Sequence, residues 1–167
     1  KNSFEDLKFH IDKIDSYQVN EAIFVCGTDQ EYDLIQNNLK LIRTPVKFLR
    51  DNGKGLGDAR RMGMDATSEN YIIYLGPDNR VSSKQISDIY LDLKNNDFKA
   101  LAFSQAIKEP KNYMQRVQNF RFENKCMPYI PREVIGTPHI IKSNEAKRIG
   151  YNSNVIPCDD TFFFNQF

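Results

Sequence analysis

The chain has 167 residues, of which 40% are hydrophobic and 27% charged, and these values fit one globular domain and exclude disordered, collagen-like and low-complexity proteins. Its 23 basic and 22 acidic side chains nearly cancel, so the overall charge does not attract the chain to nucleic acid or to an anionic membrane surface. The three cysteines lie far apart, and no apolar run reaches the roughly 20 residues of a membrane span. We therefore expect reduced thiols and a cytoplasmic protein, or one at the cytoplasmic face of a membrane.

The first part of the chain alternates between helical and strand patterns. Leu7, Ile11 and Ile14 are spaced as the apolar face of a helix, and His10 is expected on its polar face. In chain order, the patterns predict a helix at 4–14, a strand at 21–26, a helix at 29–42, a strand at 46–49, a helix at 59–66, a strand at 71–75, a helix from 83 and a strand at 100–103. This order predicts an α/β fold with a mostly parallel central sheet flanked by helices, in which ligands bind at the C-terminal ends of the strands.

The pattern is less regular beyond residue 104. Tyr113, Val117 and Phe120 predict one amphipathic helix, and prolines interrupt the stretch that follows. Basic residues beside this helix suit a lipid phosphate at a membrane surface. A helix that covers the sheet explains the same pattern, so membrane contact is not indicated.

A local excess of basic charge surrounds a glycine-rich loop at residues 52–57. Residues 40–61 contain seven basic and two acidic side chains, a net charge of +5, around Gly53, Lys54 and Gly55. Glycines allow close approach to the backbone, and amides at the start of the next helix can bind a phosphate. The spacing matches neither a P-loop nor a dinucleotide-binding fingerprint, and a solvated basic turn also explains the loop.

A polar turn follows the clearest apolar strand. Gly76 and Pro77 end the strand, so Asp78 and Asn79 are expected at its C-terminal edge. A carboxylate at that edge can hold a divalent cation against a diphosphate, because Mg²⁺ prefers oxygen ligands and takes few of them from the protein. A plain turn accounts for this sequence equally well.

An acidic pair, Asp159 and Asp160, precedes an apolar run rich in phenylalanine. Partial burial raises the pKa of a carboxyl group and makes it a better proton acceptor near neutral pH. The alternative is a helix N-cap, a position at which Asp is common.

Four segments together carry a resemblance: the glycine-rich turn at 53–63, the strand and turn at 71–79, the pieces at 136–138 and 148–151, and the acidic pair at 159–160. In this order they resemble the family-2 glycosyltransferases of the A-type fold, over roughly residues 20–165. The resemblance implies a nucleotide-diphospho-sugar transferase-like, Rossmann-like sheet with a late antiparallel strand near residues 135–141.

The same resemblance implies an activity and a set of site residues. The activity is transfer of a sugar from a nucleoside-diphosphate sugar to a hydroxyl of a saccharide or lipid-linked acceptor, with inversion at the anomeric carbon. The implied residues are Asp160 and Asp159 for catalysis, Gly53, Lys54, Gly55, Arg60 and Asn79 for nucleotide binding, and Asp78 for a Mg²⁺ or Mn²⁺ cofactor. His139 lies in a segment similar to the family's donor and acceptor wall, although a lone histidine is more often structural.

The chain departs from the family pattern in two respects. It begins with the helix that follows the family's first strand, so we expect one catalytic domain over residues 1–167 that is incomplete at its N-terminus, with the C-terminus left open. Gly76 or Pro77 stands where the Asp-x-Asp motif begins with an acid, so the metal motif is degenerate. Two other hypotheses stay open: a non-catalytic module of the same fold that binds a sugar nucleotide or a protein, and an unrelated doubly wound α/β domain. The late antiparallel strand distinguishes the last hypothesis from the others.

Overall fold

Helices and strands alternate along the chain as the sequence predicts. The computed structural model describes residues 3–103, 107, 109–125 and 138–151. The strands are β1 (Ala22–Cys26), β2 (Val46–Arg50), β3 (Tyr71–Tyr74), β4 (Ala100–Ala102) and β5 (His139–Lys142). The helices are α1 (Ser3–Lys13), α2 (Asp29–Asn38), α3 (Leu56–Ala66), α4 (Ser83–Asn95), α5 (Tyr113–Lys125) and α6 (Ser143–Ile149), and 3₁₀ helices follow α1 at Ile14–Tyr17 and α2 at Leu39–Leu41.

The described strands form two hydrogen-bonded sheets. In the first, β1 and β2 are parallel, with Phe24 opposite Phe48. In the second, β5 lies between β3 and β4 and is antiparallel to both, so β3 and β4 run in the same direction. The predicted late antiparallel strand is therefore present as β5, and the predicted α/β fold class is confirmed.

Three apolar clusters of described residues hold the sheets and helices together, and two of them involve α3 and α4. On α3, Met64 is buried with Ile141 of β5, and Ile72 of β3 packs against them. The same helix lies close to the first sheet, because a methyl group on Gly63 would come 3.4 Å from Cγ2 of Val25. The helix α3 thus contacts both sheets.

The second cluster lies under α1 and α4. Ile14 and Tyr17, which follow α1, are buried together with Ala22 of β1, Ile86 of α4 and Phe103. Burial of such side chains contributes roughly 1.5–3 kcal/mol each. This packing holds the residues that follow α1 against α4, the helix that connects β3 to β4.

Capping boxes set the starts of two helices. The hydroxyl of Thr28 accepts from the Glu31 N–H at 3.2 Å, and the Glu31 carboxylate accepts from the Thr28 N–H at 3.1 Å. The cap of α4 is Ser82 rather than Ser83, since the Ser82 hydroxyl and the Gln85 side chain form the same reciprocal pair. These local hydrogen bonds satisfy amides that the helices leave without a partner.

Helix α5 differs from its prediction. Tyr113 and Phe120, which were expected on a face packed against the sheet, are 77% and 66% exposed. The helical spacing of the apolar residues predicted a buried face, but two of these three side chains are exposed to solvent. Within the portion of the chain that the structure describes, no helix has both the length and the apolar character needed to cross a membrane.

Candidate functional site

A cavity of about 270 Å³ lies where the beginning of α3 meets the end of β3. Leu56 and Arg60 of α3 line one side, and residues 74–79 line the other. The first side belongs to the basic glycine-rich segment, and the second is the Gly-Pro-Asp-Asn segment. Two stretches that the sequence singled out separately therefore meet at one cavity.

The turn after β3 is closed by two hydrogen bonds. The Asn79 N–H donates to the Gly76 carbonyl at 3.0 Å, and the Gly76 N–H donates to Oδ1 of Asn79 at 2.6 Å. Pro77 occupies the second position, where its fixed φ favours a turn. Asp78 at the third position is exposed and lines the cavity. The segment therefore forms a turn, as the plain-turn interpretation predicts, and this turn presents the Asp78 carboxylate to the cavity.

Gly76 leaves space for two oxygen atoms. A methyl group at this position would lie 3.2 Å from Oδ1 of Asn79 and 3.3 Å from Oδ1 of Asp78, closer than ordinary van der Waals contact. Carboxylate and amide oxygens are ligands that Mg²⁺ and Mn²⁺ accept, and Oδ1 of Asn79 keeps a second lone pair after binding Gly76.

The same donor set limits the kind of metal site. Among the described residues, no group of three His, Cys, Asp or Glu side chains could hold an ion. Asp78 with Asn79 therefore fits a cation that takes its remaining ligands from water and a phosphate-bearing ligand, and does not fit an all-protein site.

Arg60 is fixed on the cavity wall by aromatic rings. Its Nε donates to the Tyr74 hydroxyl at 3.1 Å, and its guanidinium carbon lies 5.2 Å from the centre of the Tyr74 ring and 5.4 Å from that of Tyr151. The Tyr74 ring is also stacked on His139 at 5.4 Å, with an interplanar angle of 11°. Tyr74 of β3 and Tyr151, which follows α6, thus hold the guanidinium group in place, and His139 of β5 supports Tyr74.

His139 itself is buried, with only 1% of its surface exposed. It supports the Tyr74 ring from β5 and does not line the cavity. The sequence left two interpretations of His139, contact with a ligand and a structural role, and the structure favours the structural role.

The glycine-rich loop lies directly before the cavity-lining part of α3. Gly53 and Gly55 have φ values of 75° and 104°, a region that favours glycine, and Gly55 is the N-cap residue of α3. Lys54 is exposed, and its N–H is held by the Asn52 side chain at 3.2 Å. These three residues do not line the cavity; they precede Leu56, which does.

The third predicted element of the site is the acidic pair. Asp159 and Asp160 lie outside the described residues, so their distance from Asp78 stays a prediction. Of the predicted site residues, the structure brings Arg60, Asp78 and Asn79 together at the cavity.

His10 is where the sequence interpretation was wrong. It is 7% exposed and does not lie on a polar face; one ring nitrogen, Nε2, is 3.2 Å from the Pro77 carbonyl, and the other, Nδ1, is 3.3 Å from the Tyr17 hydroxyl. The signal was present, because Leu7, His10, Ile11 and Ile14 share one helical stripe. Burial, helped by the charge of Arg80, lowers the pKa of His10.

Comparison with known proteins supports the fold. No protein-family model matches the chain, and no curated protein sequence matches it. The structure is similar to the crystal structure of S. aureus TarS 1-349, with a TM-score of 0.71 and 11% sequence identity over 98% of this chain and 51% of that one. The chain thus spans about half the length of that structure. TarS is a glycosyltransferase, and the similarity shows that the fold of this chain is glycosyltransferase-like.

Proposed function

We propose that the chain forms the donor-binding region of a glycosyltransferase, which moves a sugar from a nucleoside-diphosphate sugar to an acceptor hydroxyl with inversion. The observation that carries this proposal is that Arg60 and Asp78 line one cavity at the end of β3 in a glycosyltransferase-like fold. The acceptor would be a saccharide or a lipid-linked compound. In this proposal residues 1–167 belong to one catalytic domain.

Arg60 is the residue proposed to contact the donor diphosphate. A guanidinium group binds phosphate oxygens through paired charge-assisted hydrogen bonds, and Tyr74 and Tyr151 restrict its motion before the ligand arrives. Lys54 adds one further charge next to the start of α3, and Gly53 and Gly55 allow the loop backbone to come close to a ligand. Leu56 offers an apolar surface beside them, since 57% of its surface is exposed.

Asp78, with Asn79, is proposed to hold Mg²⁺ or Mn²⁺ against the same diphosphate. The bound ion would supply positive charge that stabilises the leaving diphosphate as its negative charge grows. The turn that presents Asp78 is closed by its own hydrogen bonds, so the carboxylate is placed before binding. Gly76, with no side chain, leaves room beside both oxygens.

Asp160 is proposed as the base. In the transfer step, the acceptor oxygen forms a bond to the anomeric carbon while the bond from that carbon to the diphosphate oxygen breaks, and its electron pair leaves with the diphosphate. The hydroxyl proton passes to the Asp160 carboxylate. Asp159 beside it would raise the pKa of that carboxyl group by like-charge repulsion, or would orient the acceptor.

The test is a thermal-shift panel of UDP-, GDP- and dTDP-sugars, each with and without Mn²⁺. A ligand that binds only the folded state raises the unfolding midpoint, so at least one donor should raise it, and more so with Mn²⁺. Asp78→Asn should remove the added effect of Mn²⁺ and keep part of the metal-free effect. Asp65→Asn, which makes the same change at an exposed acid at the far end of α3, is the matched control and should respond as the wild type does.

Transfer is then measured with the donor that binds. Asp160→Asn should abolish product formation while leaving the donor-induced shift intact. Donor binding without any transfer by the wild type would favour the non-catalytic module of the same fold. No response to any donor would contradict the proposed transfer and would favour a module of the same fold that binds a protein.

A further inference from the structure

We propose that His10 and Arg80 are positioning residues that anchor the Gly76–Asn79 turn to α1 and so hold Asp78 where the donor-bound cation would need it. This inference rests on the proposed function for the role of Asp78. The anchoring itself rests on contacts between α1 and the turn, and it can be tested without any ligand.

The first contact comes from His10. A carbonyl oxygen only accepts, so the hydrogen bond to Pro77 at 3.2 Å requires a proton on Nε2 of His10. In the neutral ring Nδ1 is then an acceptor, and the Tyr17 hydroxyl at 3.3 Å donates to it. Tyr17 is only 4% exposed, so this chain of two hydrogen bonds runs from the core to the turn.

Arg80 supplies the second contact. One of its nitrogens donates to the Pro77 carbonyl at 3.0 Å and to the Asn79 carbonyl at 3.1 Å, and the other pairs with Asp6 on α1. Its guanidinium carbon also lies 4.2 Å from the centre of the Phe9 ring. The side chain therefore connects the second and last residues of the turn to α1.

Both contacts meet at one atom. The Pro77 carbonyl accepts from His10 and from Arg80, which uses both of its lone pairs. This peptide group joins Pro77 directly to Asp78. Two hydrogen bonds to this peptide group restrict the backbone that carries the Asp78 carboxylate. Residues that hydrogen-bond to metal ligands orient those ligands in the same way.

Amide hydrogen exchange tests the anchor directly. The reporter is the Asn79 N–H, which closes the turn onto Gly76, and the reference is the Gly150 N–H, which is bound to Ala146 in α6. His10→Leu removes the donor to Pro77, whereas His10→Gln keeps an N–H at nearly the same place. We expect exchange at Asn79 to become about tenfold faster in His10→Leu and to stay near the wild-type rate in His10→Gln, with Gly150 unchanged in both.

Cation binding provides the second measurement. With a nucleoside diphosphate present, the Mn²⁺ concentration for half-maximal thermal shift should rise about tenfold in His10→Leu and recover in His10→Gln, as for other groups that orient metal ligands. A purely structural His10 would lower the unfolding midpoint in both variants and leave the Mn²⁺ concentration unchanged.

Arg80→Met keeps the proposal testable if His10→Leu fails to fold, because Arg80 is exposed to solvent. It should also accelerate exchange at Asn79. Wild-type exchange at Asn79 in both His10→Leu and Arg80→Met would overturn the proposal. Faster exchange in a protein that binds no nucleotide would support the anchor and contradict only the proposed function.

Discussion

Arg60 and Tyr74 contact one another twice: Nε of Arg60 donates to the Tyr74 hydroxyl at 3.1 Å, and the guanidinium carbon lies 5.2 Å from the centre of the same ring. Tyr74 is in turn stacked on His139 of β5. A flexible side chain at the start of α3 is thereby restricted by residues from the second sheet. Such restriction lowers the entropy lost when a phosphate binds.

Arg60→Lys should therefore be a severe change. Lysine keeps the charge but loses the planar group that lies over Tyr74 and binds two oxygens at once. We expect the KM for the donor to rise about tenfold, with a smaller fall in kcat, as measured by initial rates. Arg43→Lys, at a side chain that is 95% exposed, is the matched control. Equal kinetics for both variants would argue against a phosphate contact at Arg60.

Gly76→Ala tests the space beside Asp78. The added methyl group would come within 3.3 Å of both turn oxygens and displace them by a few tenths of an ångström. We expect the Mn²⁺ requirement to rise about tenfold with little loss of stability. The control is Gly27→Ala, where the methyl group would meet the Glu31 carboxylate at an ordinary 3.8 Å. If Gly76→Ala binds Mn²⁺ as the wild type does, Asp78 and Asn79 are not a cation site.

His10 should make stability depend on pH. Its pKa in the folded state is lowered from 6.5 by burial and by the charge of Arg80, while hydrogen bonds to the backbone of Pro77 and Gly76 and the charge of Asp6 act in the opposite direction. Below pH 6.5, His10 binds a proton in the unfolded chain but stays neutral in the folded chain. His10 therefore does not change the free energy of unfolding above pH 6.5, and it lowers that free energy as the pH drops toward the lowered pKa.

Urea unfolding at pH 7.5 and pH 5.5 measures this dependence. Between these values the wild type should lose more stability than His10→Gln, which has no group that titrates at that position. The acids with lowered pKa values, Asp15, Glu21, Asp97 and Glu145, lose their contributions only at more acidic pH. Parallel losses in wild type and variant would contradict this assignment.

Ser82 rather than Ser83 should carry the cap of α4. Ser82→Ala removes the hydroxyl that binds the Gln85 N–H and should cost about 1 kcal/mol in the free energy of unfolding. Ser82→Asn should recover most of the loss, because asparagine also caps helices well. Equal midpoints for the alanine and asparagine variants in chemical denaturation would exclude capping as the cause.

Features that depend on neighbours in the sequence were predictable. The Thr28 capping box follows from a spacing of three residues, and the end of β3 follows from Gly76 and Pro77. The meeting of Arg60 with Asp78 was also expected, because loops at the C-terminal ends of strands converge at one edge. The antiparallel β5 came from the family resemblance and not from the local pattern.

Contacts between distant segments were not predictable in the same way. His10 lies on the apolar stripe of α1, but its partner, the Pro77 carbonyl, is 67 residues away and carries no signal in the sequence. The stacking of Tyr74 on His139 likewise requires the pairing of β3 with β5. A polar residue on an apolar stripe was assigned to the wrong face because its acceptor was unknown.

Paramagnetic broadening by Mn²⁺ in the presence of UDP, GDP or dTDP tests the central claim most directly. The account predicts that, for at least one nucleotide, substoichiometric Mn²⁺ broadens the amide signals of Leu56, Gly76, Asp78 and Asn79, and that Asp78→Asn abolishes this effect. The smaller cavity lined by Asp12, Asp15 and Leu41 is an internal reference and should be unaffected. Broadening centred on that second cavity, or unchanged in Asp78→Asn, would contradict the account.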